Sequence, residues 1–327
     1  MTRLVLTGIL LAAIPLSAQT AKPAAKPASK AYTAPKTPWG DPDLQGWLTN
    51  VNMNGVPLER PNEFAGRKLE DISDAELTKI RTAAQERLIG NFKAEIHGPE
   101  HWWQDDLNLV EGKQAWLVID PTDGKIPALT AAAQERNAAR TVARRNNPRG
   151  PADGPEDRSL YDRCITRGLP GSMMPVIYGN SYQIVQGPGF VVIRYEMIHE
   201  ARVIPIASGP HVGKAIESYM GDARGHWEGD TLVVETTNIK EGTAYRNANS
   251  ATLKITERFR RISANKVQWG VTLEDPQTWV TPWTFSMPLT IDPEQPVFEY
   301  ACHEGNYGLR NILTAARADE AAAAQKK

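Results

Sequence analysis

The stretch "YACHEGNYG", residues 300 to 308, sets Cys302, His303 and Glu304 side by side, with Asn306 and Tyr307 close behind. Thiol, imidazole and carboxylate are the groups of nucleophilic and general acid–base catalysis, and histidine is the side chain most easily poised near neutral pH. The same trio also suits one end of a disulfide beside a structural His–Glu anchor. His199, in "YEMIHEARVIP", shares strand parity with Val191, Ile193, Tyr195, Met197, Ala201 and Val203. If that face is internal, His199 is either a satisfied core histidine or a ligand contact and general base. The opposite parity holds Arg194, Glu196, Glu200 and Arg202, which make solvated cross-strand pairs or, in a barrel with a polar lumen, interior charges.

His226, in "DARGHWEGD", precedes a turn through Glu228, Gly229 and Asp230, with Trp227 beside it and Asp222 and Arg224 as a rim of charge. His97, Glu100 and His101 have a metal-like spacing, but Gly98-Pro99 breaks any helix that would present them. His211 lies in the loop "SGPHVGK" and receives no role. The candidate catalytic set is therefore His303, Glu304 and His199. The candidate ligand contacts are Arg194, Tyr195, His226, Trp227, Asn306 and Tyr307. No metal site is assigned and no cofactor is identified. G-x-S-x-G, H-E-x-x-H, C-x-x-C, Walker and dinucleotide signatures are all missing.

Cys164, in "DRCITRG", and Cys302 are the only two cysteines. In an oxidising compartment they are expected to pair; the alternatives are two buried thiols or a metal thiolate. The compartment is suggested by "MTRLVLTGILLAAIPLSAQTA". Arg3, an apolar run from Leu4 to Leu16 and the small residues Ser17 and Ala18 read as a secretory signal over residues 1–18, cleaved after Ala18. That run is too short for a permanent membrane span, so the mature chain is expected to have no transmembrane segment. Residues 19–38, rich in Ala, Pro and Lys, form a flexible spacer with too little apolar surface to order itself.

Charge excludes one partner class. The chain carries 37 Lys and Arg against 38 Asp and Glu. Setting aside Arg3, Lys22, Lys26, Lys30, Lys36, Lys326 and Lys327 leaves 30 basic residues and a body charge of −8. Nucleic-acid binding, which needs clustered positive charge, is not expected.

These candidate residues must be positioned by two kinds of segment. Residues 39–180 read as irregular and partly helical. "SDAELTKIRTAAQERLIGNF" opens on a capping box, Ser73 and Glu76, and repeats Leu77, Ile80, Ala84 and Leu88 at helical spacing. A second, alanine-rich helix starts at Thr130 and should lie on the surface. "QAWLVIDPTDGKIP" is a strand followed by a turn. From Ser181 the period changes to two. "SYQIVQ", "FVVIRYEMIHEARVIPI", "DTLVVETTN", "ATLKITERFRRI", "KVQWGVTLED", "WTFSMPL" and "VFEYACH" alternate apolar with polar residues between Gly, Pro, Asn and Asp turns. The fold class expected is mainly β with flanking helices (α+β), an antiparallel meander over 181–308 whose one dry face suits a closed barrel or a sandwich, with a lipocalin-like barrel the leading expectation. Residues 309–327 form a helix that docks through Leu309, Ile312 and Leu313 and then frays.

"DRCITRGLPGSMMP", "YEMIHEARVIP", "GDARGHWEGDTLVVETTN", "EDPQTWVTPWT" and "YACHEGNYGL" resemble the signature stretches of a large, uncharacterised family of exported bacterial proteins. The resemblance runs from about Trp39 to Leu313 and implies export, but no activity. The meander is also similar to lipocalin-type (calycin) barrels, in which W-x-G-D-T-L hairpins recur; that similarity concerns fold alone.

Two functional classes lead. One is a periplasmic barrel binding a small, largely apolar or aromatic molecule, for which six of the nine tryptophans, Trp102, Trp103, Trp227, Trp269, Trp279 and Trp283, could supply aromatic walls where they are not core. The other is a hydrolase, lyase or isomerase using His199, His226 or His303 with a nearby carboxylate, with or without a metal. A ligand-free structural envelope protein is the third. The convergence of the histidines in space separates them.

Overall fold

The computed structural model describes residues 32–95, 114–145, 152–176, 179–207 and 209–325. The stretch read as a signal and most of that read as a spacer lie outside these residues, as do His97, Glu100, His101, Trp102 and Trp103. Residues 33–327 form one unit. Its strands are β1 (Gly46–Thr49), β2 (Val118–Asp120), β3 (Ser181–Gly187), β4 (Phe190–Tyr195), β5 (Ala201–Pro205), β6 (Asp222–Glu228), β7 (Thr231–Thr237), β8 (Lys254–Ser263), β9 (Lys266–Glu274) and β10 (Trp283–Ile291). The helices are α1 (Asp74–Glu95), α2 (Ala131–Arg145) and α3 (Tyr307–Ala324).

Alternation builds the central strands. On β9, Val267, Trp269, Val271 and Leu273 are fully buried, and on β10 so are Trp283, Phe285, Met287 and Leu289. The rings pack on one another, with centroids 6.3 Å apart for Phe259 and Trp269 and 5.5 Å for Trp269 and Phe285. Each such buried side chain contributes about 1.5–3 kcal/mol. The sheet order is β5-β4-β3-β1-β10-β9-β8-β7-β6. Its two end strands meet through the parallel bridge Ile206↔Gly225, so the sheet is a nearly closed barrel. Gly225 allows this approach, because a Cβ there would lie 2.6 Å from the Ile206 side chain.

Three expectations are corrected. The barrel is not confined to 181–308, since β1 inserts between β3 and β10, and β2 pairs with β10 beside it. That edge of β10 is taken by β1 and β2, and residues 296–301, within the expected strand "VFEYACH", are not a strand. "FVVIRYEMIHEARVIPI" is a hairpin rather than one strand. Its turn holds Ile198 and His199 at φ 64° and 56°, a left-handed conformation that is costly for a β-branched residue.

Around this turn Arg194 pairs with Ala201 and Ile193 with Arg202. Directly opposed residues share a face, so even positions on β4 match odd ones on β5 and the inward parity flips. Val191, Ile193 and Tyr195 point inward on β4, whereas Arg202 and Ile204 do so on β5. Val203 is exposed.

The helix starts expected at Ser73 and Thr130 are found, while the side chain of Leu88 lies outside the described ones. The capping box at α1 is closed by Glu76 N–H to Ser73 Oγ at 3.3 Å and Ser73 N–H to Glu76 Oε2 at 3.0 Å. Leu77 of α1 packs with Phe64, Ile72 and Ala115 in a small core of its own. Thr130 Oγ1 accepts from Ala133 N–H at 3.1 Å at the start of α2, which buries only Ala133 among its described side chains.

The barrel has unlike ends. The β3–β4, β6–β7 and β8–β9 hairpins turn within two residues each at one end. The opposite end carries the Ile198–His199 turn and the connections 238–253 and 275–282, and segment 206–221 returns to it before β6. Among the described residues no helix is long and apolar enough to cross a membrane.

Candidate functional site

Long connections carry variable polar groups on a rigid frame, so the loop-bearing end is where a site is expected. Cys164 and Cys302 are bonded there, with Cα atoms 5.7 Å apart across 138 residues of sequence. Next to the bond, Thr166 Oγ1 donates to Glu200 Oε2 at 2.7 Å, which ties this segment to the β4–β5 turn. Burial pushes the Glu200 carboxyl above its usual range.

The bond joins the two walls of a cleft of about 550 Å³. One wall is the segment from Asp153 to Arg163, and the other is the first half of α3. Pro155, Leu309 and Leu313 supply apolar surface, and His303, Arg163 and Arg310 stand around it. Asn306 caps α3 by accepting from Leu309 N–H at 3.1 Å, and its amide donates to Asp162 O at 2.8 Å and to Cys164 Sγ at 3.3 Å. Arg317 completes the clasp by donating to Asp153 O at 2.8 Å.

His303 and Asn306 therefore lie at this cleft, Asn306 chiefly as an anchor. Glu304 and Tyr307 are exposed next to it. His199 is also exposed, with Nε2 4.0 Å from Glu299 Oε1, a short way along the chain from His303. His226 is elsewhere. It lies beside the β6–β7 hairpin tip at the barrel's other end, where Nε2 meets Glu228 Oε1 at 3.2 Å and Glu228 pairs with Arg258 at 2.6 Å. His199 and His303 share an end of the barrel; His226 does not. Among the described residues no three His, Cys, Asp or Glu side chains come together as a metal cluster.

The remaining candidates belong to the sheet. Arg194 is half-buried on the outer face of β4. Trp227 is half-buried and packs against the core. Tyr195 is buried inside, edge-on to Tyr182 at 6.1 Å, and burial raises its phenol.

Tyr195 sits beside the feature that reading by residue type overlooked. Arg202 and Glu257 form a doubly hydrogen-bonded ion pair inside the barrel, with Arg202 Nη2 2.9 Å from Glu257 Oε1 and Nη1 bonded to Oε2. Trp269 Nε1 donates to the same Oε1 at 3.1 Å. Glu257 is completely buried and Arg202 is 4% exposed. Burial would lower the guanidinium's pKa, but the Glu257 carboxylate outweighs it and holds Arg202 charged. The signal was present: Glu257 stands between Ile255 and Phe259 on the apolar parity of β8.

A second overlooked contact lies at the loop end. Asp222 Oδ2 accepts from Val212 N–H at 3.0 Å and lies 2.9 Å from His211 Nδ1, and Arg224 reaches Asp222 Oδ1 at 3.0 Å. Burial raises the Asp222 carboxyl, yet these donors together hold it below its ordinary range. A carboxylate on Nδ1 leaves Nε2 as the working nitrogen, and His211 lines a cleft of about 610 Å³ with Thr237, Ser250 and Thr252. Eleven residues separate His211 from Asp222, and no sequence pattern links them.

Comparison with family models, with curated proteins and with solved structures found no match.

Proposed function

We propose that this is an exported β-barrel protein that binds a small, largely apolar ligand, seated in the cleft between α3 and residues 153–163. The observation that carries this reading is the partly covered face of α3. Leu309 and Leu313 floor a cleft whose walls are clasped by a disulfide, and no side chain of the helix is fully buried. A volume of about 550 Å³ is in the range of small-molecule sites. The aromatic side chains of the barrel serve its own core, so the ligand is placed outside the lumen. The leader, the disulfide and the resemblance to exported proteins support export.

The neutral apolar dye N-phenyl-1-naphthylamine should brighten on the protein, and Leu309→Asp/Leu313→Asp should remove that signal while the barrel's melting temperature holds. A double variant that brightens the dye as well as the parent does would overturn the reading.

The enzyme reading, expected at His199, His226 or His303, finds its specific support at a different histidine, in the His211–Asp222 pair that lines a cleft with Ser250 and Thr252. In that reading His211 acts as general base toward a water or hydroxyl. Hydrolysis of 4-nitrophenyl esters should then fall at least about tenfold in His211→Ala; an unchanged rate would remove it.

A further inference from the structure

The cleft at α3 is cationic as well as apolar. Arg163 is half-buried there and Arg310 exposed, and neither side chain has a hydrogen bond or ion pair among the described residues. The other charged groups of the cleft differ: Arg317 is engaged by Asp153 at 3.4 Å and by Glu320 at 2.6 Å, so the one carboxylate lining the cleft is already matched. His303 adds a further nitrogen base on the same side. Three arginines therefore line the cleft against the single lining carboxylate of Asp153, on a body whose net charge is −8, with Glu156 and Asp157 flanking Gly154 on the same wall.

We infer that the ligand is an amphiphile with one anionic head group, a carboxylate or a phosphate, gripped by Arg163 and Arg310 while its tail lies on Pro155, Leu309 and Leu313. The inference rests on the binding role proposed above and names the class of ligand. A guanidinium presents a planar fork of donors that matches the paired oxygens of either head group, and beside apolar surface this contact is less screened than in open water. A polyanion is not favoured, because the acidic body would repel charged groups beyond the one head group that the two arginines meet. The disulfide sets the spacing of the grip, since Arg163 precedes Cys164 and Arg310 follows Cys302 on the opposite wall.

Isothermal titration of the mature chain with octanoate, octyl phosphate, octan-1-ol and inorganic phosphate tests this. One equivalent of octanoate or octyl phosphate should bind, and the better of the two identifies the head group. Octan-1-ol should bind at least about tenfold more weakly, the difference expected for a charge-assisted hydrogen bond. Arg163→Ala and Arg310→Ala should each weaken the anionic ligand by about tenfold or more. Arg163→Lys should retain part of the affinity, because the charge stays and the fork is lost.

Equal binding of octan-1-ol and octanoate, unaffected by the arginine variants, would overturn the anionic head group and leave the apolar cleft standing. Inorganic phosphate binding as tightly as octyl phosphate would overturn the amphiphile, since the tail would then contribute nothing. If neither octyl compound binds while N-phenyl-1-naphthylamine does, the inference falls alone. If none of the three binds, the reading beneath it falls as well.

Discussion

Glu257→Gln is expected to lower the unfolding free energy by about 3–5 kcal/mol, the range for breaking a buried ion pair by removing one partner. The amide keeps an oxygen for Trp269 Nε1 but leaves the Arg202 guanidinium charged and unmatched inside the barrel. Arg202 cannot escape to water, because it lies on the inward parity of β5 and is 4% exposed. The double variant Arg202→Met/Glu257→Leu should recover most of the loss, since a well-packed apolar pair removes both desolvation costs. Urea unfolding followed by tryptophan fluorescence measures all three proteins, and Trp269 reports directly on the carboxylate it contacts. A single variant within about 1 kcal/mol of the parent would show that water or another group neutralises Arg202 in solution.

Replacing both Cys164 and Cys302 with Ser should release α3 while leaving the barrel folded. The bond closes 138 residues of chain, which in the loop-entropy picture amounts to about 5 kcal/mol at most. Little else holds α3. None of its side chains is fully buried, and among the described residues its polar ties to the rest of the chain are the Asn306 cap contacts and the Arg317 hydrogen bonds to residues 152 and 153. The barrel has its own aromatic core and does not depend on this clasp. Trypsin should therefore cut at Arg310 and Arg317 at least about a hundredfold faster in the variant, as local opening becomes the cheap route to cleavage. The barrel's melting temperature should move much less. Equal cleavage rates with and without the bond would mean that the helix docks by apolar contact alone.

The site was legible in pieces. His303, Asn306 and the Cys164–Cys302 bond were marked by local density of chemistry and by the lack of any other cysteine to pair with, and all lie at one cleft. Arg163 and Arg310 were not marked, because an arginine attracts notice only when its neighbours are known, and theirs come from segments about 140 residues apart. His199 was grouped by parity with Val191, Ile193 and Tyr195, yet it is exposed in a turn, because parity counts hold only along an unbroken strand. The turn at Ile198 and His199 carries none of the Gly, Pro or Asn signals that would have announced it. His226 was grouped with the other histidines by residue type, yet the parallel course of β5 and β6 sends its hairpin to the far end.

By itself the sequence determined what is local. Period-two alternation set which residues of β9 and β10 turn inward, Ser73 and Glu76 set where α1 begins, and two-residue turns set the hairpins. These depend on backbone geometry within a few residues, so the order of side chains is enough. The tertiary structure decided what depends on closure. It drew β1 from the N-terminal half into the gap between β3 and β10, left "VFEYACH" outside the sheet, and brought Arg202 opposite Glu257. A sheet must satisfy both edges of each inner strand before it closes, and which segment does so is a competition among distant parts of the chain. That competition is not written in any one stretch of residues.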